Sequence, residues 1–203
     1  MLFILILILI AALAVWLRFR SKRMSVGRHA SLRGKVATER TLFTLQIGDV
    51  VQYQAQDWIV ETVYCYQQDQ FEWIEYLLRD NSDAAWLVVV EDDWLEVSWL
   101  SPVPEEQLNI ELPPPRYITY EGTYYSLEEE GEARYSTVGR ANNQAGSCRF
   151  YDYRNTDGLE LSLEVYDSKN EGGLDINVGG KIDSRDLSLL PGDGRSVYSK
   201  ISR

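Results

Sequence analysis

The stretch FEWIEYLLRDNSDAAWLVVVEDDWLEVSW, residues 71–99, decides the fold class of this chain. Its apolar residues tend to recur at every second position, and the β-favouring residues Val, Ile, Trp and Tyr are abundant in it. Turn residues at 81–83 and 92–93 divide it into three segments, Phe71–Arg79, Trp86–Glu91 and Trp94–Trp99. The stretch therefore predicts three consecutive antiparallel strands.

The sequence upstream of this stretch adds two more short strands. Gly48-Asp49 precedes Val50–Tyr53, and turn residues at 55–57 lead into Trp58–Val60. Apolar residues in this region do not follow the 3.6-residue period of a helix. We therefore predict a first β module over residues 44–100.

The same order of strands recurs in the second half of the chain. Residues 101–115, SPVPEEQLNIELPPP, contain five prolines, and proline fixes φ, so they predict an extended connector. The repeat predicts a second β module over residues 116–193 and a tail over 194–203. Five segments match in order: residues 51–53 with 118–120, Trp58 with Tyr125, 75–76 with 152–153, 88–91 with 161–164, and 95–99 with 174–178.

The fold class that we predict is all-β, with two tandem small SH3-like or barrel-like modules after one N-terminal transmembrane helix. Each half has about 55–70 residues, which is near the lower size at which one core is stable. A closed or nearly closed five-stranded barrel would protect the strand edges. The connector can also pack along one module, in which case both copies form a single body.

The first seventeen residues, MLFILILILIAALAVWL, carry no charge. As a helix they would span roughly 25 Å, slightly less than the ~30 Å hydrocarbon core of a bilayer. We predict a transmembrane anchor over residues 1–17 and a basic juxtamembrane linker over 18–43 that can attract anionic lipid. Basic clusters stay cytoplasmic, so the body of the chain is predicted to be cytoplasmic. The residues predicted to set the anchor and its orientation are Trp16, Arg18, Arg20, Lys22 and Arg23.

A cleaved secretion signal is the alternative interpretation of this segment. Ala12-Leu13-Ala14 offers a site of the small-x-small type, at which signal peptides are cleaved. However, no basic residue precedes the apolar run, and a dense basic cluster follows it. These flanks favour the membrane anchor.

The composition excludes several classes of function. The chain has 203 residues and a formal net charge of −11, with +7 on residues 1–40 and −18 on the rest. An acidic body repels phosphate, so we predict no nucleic-acid partner. One His excludes mechanisms that need two imidazoles, and two Cys are too few for a disulfide-built scaffold or a four-thiolate zinc site. We expect both thiols, Cys65 and Cys148, to be reduced packing residues.

Four carboxylates and one tryptophan form the candidate binding surface: Glu75, Glu91, Trp94, Asp152 and Glu164. The carboxylates lie on neighbouring predicted strands, where a pair can perform acid–base chemistry or bind a cation. They can equally be solvent-side residues of alternating strands. No nucleophile elbow or phosphate loop accompanies them, so we predict no enzyme, no catalytic residue, no cofactor and no metal site. The acidic run at residues 128–132 is interpreted as a solvated hairpin tip.

The chain resembles a bacterial family of unknown function, DUF4178. The resemblance covers residues 42–193 and rests on LQIGDVVQY, WIEYLL and WLVVVEDDW in the first half. In the second half it rests on YEGTYYSLEEEGEARYSTVG, YDYRN, LELSLEVYD and KIDSRDLSLLPG. It implies β-rich modules, in some members with membrane segments or beside polyamine-synthesis or membrane-stress genes. It supplies no catalytic residue.

Two hypotheses of function follow. The first is a non-enzymatic adaptor at the cytoplasmic face of the bacterial plasma membrane, whose β modules bind a protein partner and whose anchor contacts the lipid bilayer. Aromatic residues exposed on such modules would suit protein recognition. The second is an acidic ligand-binding module that senses a polyamine or a divalent cation.

Overall fold

The computed structural model describes residues 39–139, 144–167 and 173–195. They belong to one compact unit, residues 37–203. The predicted anchor over 1–17 lies outside the described residues, as does the predicted linker up to residue 38. Within the described part of the chain, no helix is long and apolar enough to cross a bilayer. The orientation residues also lie outside it: Trp16, Arg18, Arg20, Lys22 and Arg23.

The described residues are almost entirely β-structure, which confirms the predicted all-β class. The five strands of the first half are β1 (Val50–Tyr53), β2 (Gln56–Gln68), β3 (Phe71–Asp80), β4 (Asp83–Glu91) and β5 (Leu95–Pro102). The later strands are β6 (Tyr117–Tyr120), β7 (Thr123–Gly139), β8 (Ala145–Arg154), β9 (Leu159–Tyr166), β10 (Leu174–Lys181) and β11 (Ser188–Leu190). Short 3-10 helices occupy Glu105–Gln107 and Ser184–Asp186.

All eleven strands lie in one antiparallel sheet, in the order β11-β1-β2-β3-β4-β5-β10-β9-β8-β7-β6. An additional pairing of β2 with β7 closes eight of them, β2 to β5 and β7 to β10, into a ring. Two separate modules are not confirmed, because β5 pairs with β10 and β2 with β7. The hydrogen bonds of both halves therefore run through one sheet.

The first hairpin of each half pairs its strands in the same register. Val51 lies opposite Trp58 in the β1–β2 hairpin, and Ile118 lies opposite Tyr125 in the β6–β7 hairpin. In both hairpins the two partners are buried. The same positions of the two halves therefore perform the same packing role.

The match predicted between β4 and β9 is off by one position. The partner of Tyr76 in β4 is Leu87, and the partner of Tyr153 in β9 is Leu161. The match predicted for residues 88–91 should therefore have started at residue 87. The cause is the unbroken apolar run at residues 86–90, which does not show which residues face which side.

The ring has two outer cores and an inner surface. Because side chains alternate along a strand, each central strand gives one face to an outer core and the other to the interior of the ring. The core of the first half includes Val51, Val60, Tyr76, Leu78, Leu87 and Val89. The core of the second half includes Ile118, Tyr125, Tyr153, Leu161, Leu163 and Ile176. A third cluster, between the halves, consists of Tyr66, Ala133, Tyr135, Cys148 and Phe150.

The acidic run at residues 128–132 is not a hairpin tip, as the sequence had suggested. It lies inside the long strand β7 and pairs with β8. A register shift between Leu127 and Glu129 marks an irregularity in this strand. As a result, the run borders the interior of the ring.

The end of the described chain closes against its beginning. β11 pairs with β1, although the sequence placed residues 188–190 in the second module. The fully buried carboxylate of Asp49 accepts hydrogen bonds from the backbone N–H groups of Gln46 and Gly192, both at 2.7 Å. Arg40 Nε lies 2.5 Å from the same carboxylate. This clasp joins residues that are 143 positions apart in the sequence.

Candidate binding cavity

The interior of the ring contains a cavity of about 400 Å³, lined by strands from both halves of the chain. Its lining is strongly acidic, with six carboxylates against two basic side chains. The carboxylates are Glu75, Glu96, Glu128, Glu129, Asp152 and Glu160, and the basic residues are Arg154 and Lys181. A cavity with this lining attracts cations.

Glu75 and Asp152 are placed at this surface by the alternation of their strands. Glu75 follows the inward-facing Trp73 in β3, while its neighbour Tyr76 packs in the outer core of the first half. In β8, Asp152 likewise faces the cavity, while its neighbour Tyr153 packs in the outer core of the second half. The two carboxylates, which the sequence matched as a repeat pair, therefore line one cavity.

Both basic residues of the cavity are paired with carboxylates in its more exposed part. Lys181 Nζ lies 2.6 Å from Glu96 Oε2. The Arg154 guanidinium lies 2.9 Å from Glu128 Oε2 and 3.0 Å from Glu160 Oε1. These ion pairs leave Glu75, Glu129 and Asp152 as lining carboxylates without a salt bridge among the described residues.

Burial raises the pKa values of the inner carboxyl groups. The pKa of Glu75 is well above its ordinary value because the side chain is buried and because the charge of Glu164 repels its ionised form. A hydrogen bond of 2.9 Å from Trp73 Nε1 to Glu75 Oε1 acts in the opposite direction. Burial also raises the pKa of Asp152 to about 6 and the pKa of Asp175 above its ordinary range.

Glu164 lies behind this surface and is 4% exposed. Its Oε2 accepts a hydrogen bond of 3.1 Å from the Tyr66 hydroxyl and another from the Tyr166 hydroxyl. Burial raises the pKa of Glu164 to about 7, despite these hydrogen bonds, which favour the charged form. Glu75 and Glu164 are therefore two interacting carboxyl groups, and their protons are lost as a coupled pair.

Aromatic rings and neutral polar groups complete the cavity. Phe71, Trp73 and Phe150 line it, and the Trp73 ring meets the Phe150 ring edge-on at 5.8 Å. Ser98 and Asn177 also line it, at 9% and 5% exposure. Such a lining provides π-faces and oxygen acceptors beside carboxylates.

The predicted candidate residues are only partly brought together. Glu75 and Asp152 line the cavity and Glu164 lies behind it, so these three are interior residues, not solvent-side ones. Trp94 is 67% exposed, but its indole N–H donates a 2.7 Å hydrogen bond to Glu96, which lines the cavity. Glu91 is exposed at the end of β4, opposite Leu95, and is not among the lining residues.

Sequence reasoning missed several residues of the cavity. Ser98 and Asn177 occupy matched polar positions between apolar residues in β5 and β10, and this repeat was the available signal. No sequence pattern marked Lys181 and Arg154 as cavity residues, because the carboxylates that they pair with lie on other strands.

Metal binding was considered for the same carboxylates. Across residues 39–139, 144–167 and 173–195, no three His, Cys, Asp or Glu side chains are grouped so as to hold a metal ion. The cysteines are separate, with Cys65 exposed and Cys148 buried in the inner cluster.

Comparisons with known proteins agree with the sequence pattern. The sequence model of the family described as "Domain of unknown function (DUF4178)" matches residues 46–184. An uncharacterised protein of Aquifex aeolicus (strain VF5) is 27% identical over 127 residues, which cover 60% of this chain and 70% of that protein. No solved structure matches the chain. The matched residues include all eight strands of the ring and end before β11.

Proposed function

The chain belongs to the family described as domain of unknown function DUF4178, and we propose that it is a non-enzymatic binding protein for a small organic cation. The ligand class that we favour is a linear polyamine with more than one ammonium group. The observation that carries this proposal is the acidic cavity of about 400 Å³ inside the ring. Cavities of roughly 300–1,000 Å³ are typical of small-molecule sites.

The lining offers each kind of contact that an alkylammonium ion needs. Glu75, Glu129 and Asp152 have no salt bridge within the described chain, so they can pair with ammonium groups. Trp73 and Phe150 can pack against the methylene groups or take part in cation–π contacts. More than one free carboxylate favours a ligand with more than one positive charge.

Isothermal titration calorimetry of the full-length protein in mild detergent tests this function. We expect spermidine to bind with a dissociation constant below the millimolar range, and magnesium chloride and a neutral diol of similar length to give no binding heat. The variants Glu75→Gln and Asp152→Asn should each weaken binding about tenfold, the value of one charged hydrogen bond. Glu91→Gln is the matched control, because Glu91 is not a lining residue. No heat at millimolar spermidine would rule out the proposal.

Protein binding is the second candidate function, supported by two exposed tyrosines. Tyr117 and Tyr124 are each 57% exposed and stack with ring centroids 5.3 Å apart on the β6–β7 hairpin. Tyrosine is enriched in protein interfaces. Anchoring at the cytoplasmic face of the plasma membrane belongs to this proposal and rests on the apolar residues 1–17 and the basic residues that follow.

Proximity labelling tests the adaptor function. A partner that is labelled by the wild-type protein and lost in the double variant Tyr117→Ala, Tyr124→Ala would support it. The variants Glu75→Gln and Asp152→Asn should leave this labelling unchanged, because their side chains lie inside the ring. An unchanged set of labelled proteins in the double variant would contradict it.

A further inference from the structure

Tyr66, Tyr166 and Glu164 bring three oxygen atoms into mutual contact. The Tyr66 hydroxyl oxygen lies 2.7 Å from the Tyr166 hydroxyl oxygen and 3.1 Å from Glu164 Oε2. The Tyr166 hydroxyl also contacts Glu164 Oε2. The two hydroxyl groups supply hydrogens for two of these contacts, and a proton on Glu164 would supply the third.

The protonation state of Glu164 decides whether all three contacts are hydrogen bonds. When Glu164 is ionised, Tyr166 donates to it and Tyr66 donates either to Glu164 or to Tyr166, so two of the three contacts are hydrogen bonds. When it is protonated, the carboxyl group donates to Tyr66, Tyr66 donates to Tyr166, and Tyr166 donates back to the carboxyl oxygen. The geometry therefore fits a stored proton on Glu164.

No basic side chain is shown among the groups that interact electrostatically with Glu75 and Glu164. The nearest charges are carboxylates, and they raise the pKa values of this pair in addition to burial. Arg154 and Lys181 form ion pairs in the more exposed part of the cavity, and Arg154 also lowers the pKa of Asp152, which Glu129 and Glu160 raise. The titratable groups around the pair are Tyr64 and Tyr66 of β2, Tyr135 of β7, Cys148 and Asp152 of β8, Tyr166 of β9 and Asp175 of β10.

Asn177 independently indicates that a ligand enters this space. It lines the cavity at 5% exposure, and none of the hydrogen bonds of the described chain involves its side-chain amide. The amide is open to the cavity and is not enclosed by protein atoms, so a group in the cavity can bond to it. An ammonium group at the inner carboxylates could donate to the Asn177 oxygen, because Asn177 belongs to the same lining.

We propose that a cation enters the inner cavity in exchange for protons held by Glu75, Asp152 and Glu164, so the site loads at neutral pH and empties at acid pH. This inference rests on the proposed function. The positive charge of the ligand replaces the protons that keep the carboxyl groups neutral, and the protons pass to solvent. No covalent bond forms or breaks apart from these O–H bonds.

The direction of the pH dependence follows from the folded-state pKa values. The pKa of Asp152 is raised to about 6 and that of Glu164 to about 7, so both groups carry protons in mild acid. Alkylammonium groups keep their charge up to a pH of about 10. If one proton is released for each ligand, the apparent dissociation constant falls about tenfold for each pH unit between roughly 5.5 and 7 and levels off above 8.

The experiment is calorimetry of spermidine binding to the full-length protein, in two buffers of different ionisation enthalpy at each pH. The buffer dependence of the heat counts the protons released. We expect about one proton for each ligand near pH 6.5 and fewer above pH 8. The variant Glu164→Gln should release fewer protons and should bind with a flatter pH profile, and Glu91→Gln should behave as the wild type.

The possible outcomes separate this inference from the proposed function. Spermidine binding without proton release, with the same affinity from pH 5.5 to 8, would overturn the exchange and leave the binding function standing. An unchanged proton count in Glu164→Gln would remove Glu164 from the exchange. A lack of binding at every pH would contradict both proposals.

Discussion

Replacing Glu164 with Gln is predicted to remove a pH dependence from the stability of the fold. Glutamine has nearly the shape of a protonated glutamate, and its amide can both donate and accept hydrogen bonds at Tyr66 and Tyr166. It cannot ionise. The variant therefore removes the proton of Glu164 and the charge that raises the pKa of Glu75, with the packing in the ring largely kept.

The magnitude follows from the difference between the folded and unfolded pKa values. The pKa of Glu164 rises from an ordinary 4.5 to about 7 on folding. Below pH 4.5 the group is protonated in both states, and its contribution to the free energy of unfolding is fully present. This contribution is lost as the pH rises to 7, because unfolding then releases the proton. Each pKa unit corresponds to about 1.4 kcal/mol, so we expect a loss of about 3 kcal/mol across this range.

The assay is urea unfolding of the full-length protein in mild detergent, followed by tryptophan fluorescence at pH values from 4.5 to 8. The free energy of unfolding of Glu164→Gln, relative to the wild type, should increase by about 3 kcal/mol between pH 4.5 and 7.5. The control Glu91→Gln changes an exposed carboxylate and should follow the wild-type curve. Parallel curves for wild type and Glu164→Gln would refute the buried, proton-holding role of this side chain.

Three further predictions concern the fold. Asp49→Ala should lower the free energy of unfolding by about 3–5 kcal/mol in urea denaturation, because it leaves a buried charge and two N–H groups unpaired, whereas Asp49→Asn should cost less. Gly179→Ala should lower the melting temperature sharply, since its Cβ would lie 2.0 Å from a backbone oxygen of β5, while Gly180→Ala, with 3.5 Å to the nearest atom, should be tolerated. A thiol reagent should label the exposed Cys65 in the native protein and the buried Cys148 only after unfolding, as mass spectrometry would show.

The strands could be predicted from local sequence patterns. The closure of the ring could not, because it depends on pairings between strands that are far apart in the sequence. The alternation in residues 71–99 and the turn residues between its segments were enough to place β3, β4 and β5. The pairings of β2 with β7 and of β5 with β10 join segments far apart in the sequence. Neither pairing has a turn or a linker that would reveal it, so the sequence suggested two separate modules.

The residues of the cavity could also be predicted only in part from local sequence patterns. Glu75 and Asp152 were found because they recur at matched positions, but alternation alone does not tell a solvent face from the inside of a ring. Glu91 has the same residue type as Glu164 and an apolar run before it, yet it is exposed at the end of its strand. Whether a carboxylate is buried therefore depends on whether the closed ring surrounds it, and the residue type alone does not show this.

The two outer cores explain how the fold can carry buried carboxyl groups in its interior. Each half packs its own apolar cluster on the outer face of the sheet, so these two clusters stabilise the fold without the carboxyl-lined part of the interior. Apolar residues in place of Glu75, Asp152 and Glu164 would be expected to stabilise the interior, because burying a carboxyl group costs free energy. Residues that work against stability in this way are typical of functional sites. The proposed binding function accounts for these inner carboxyl groups.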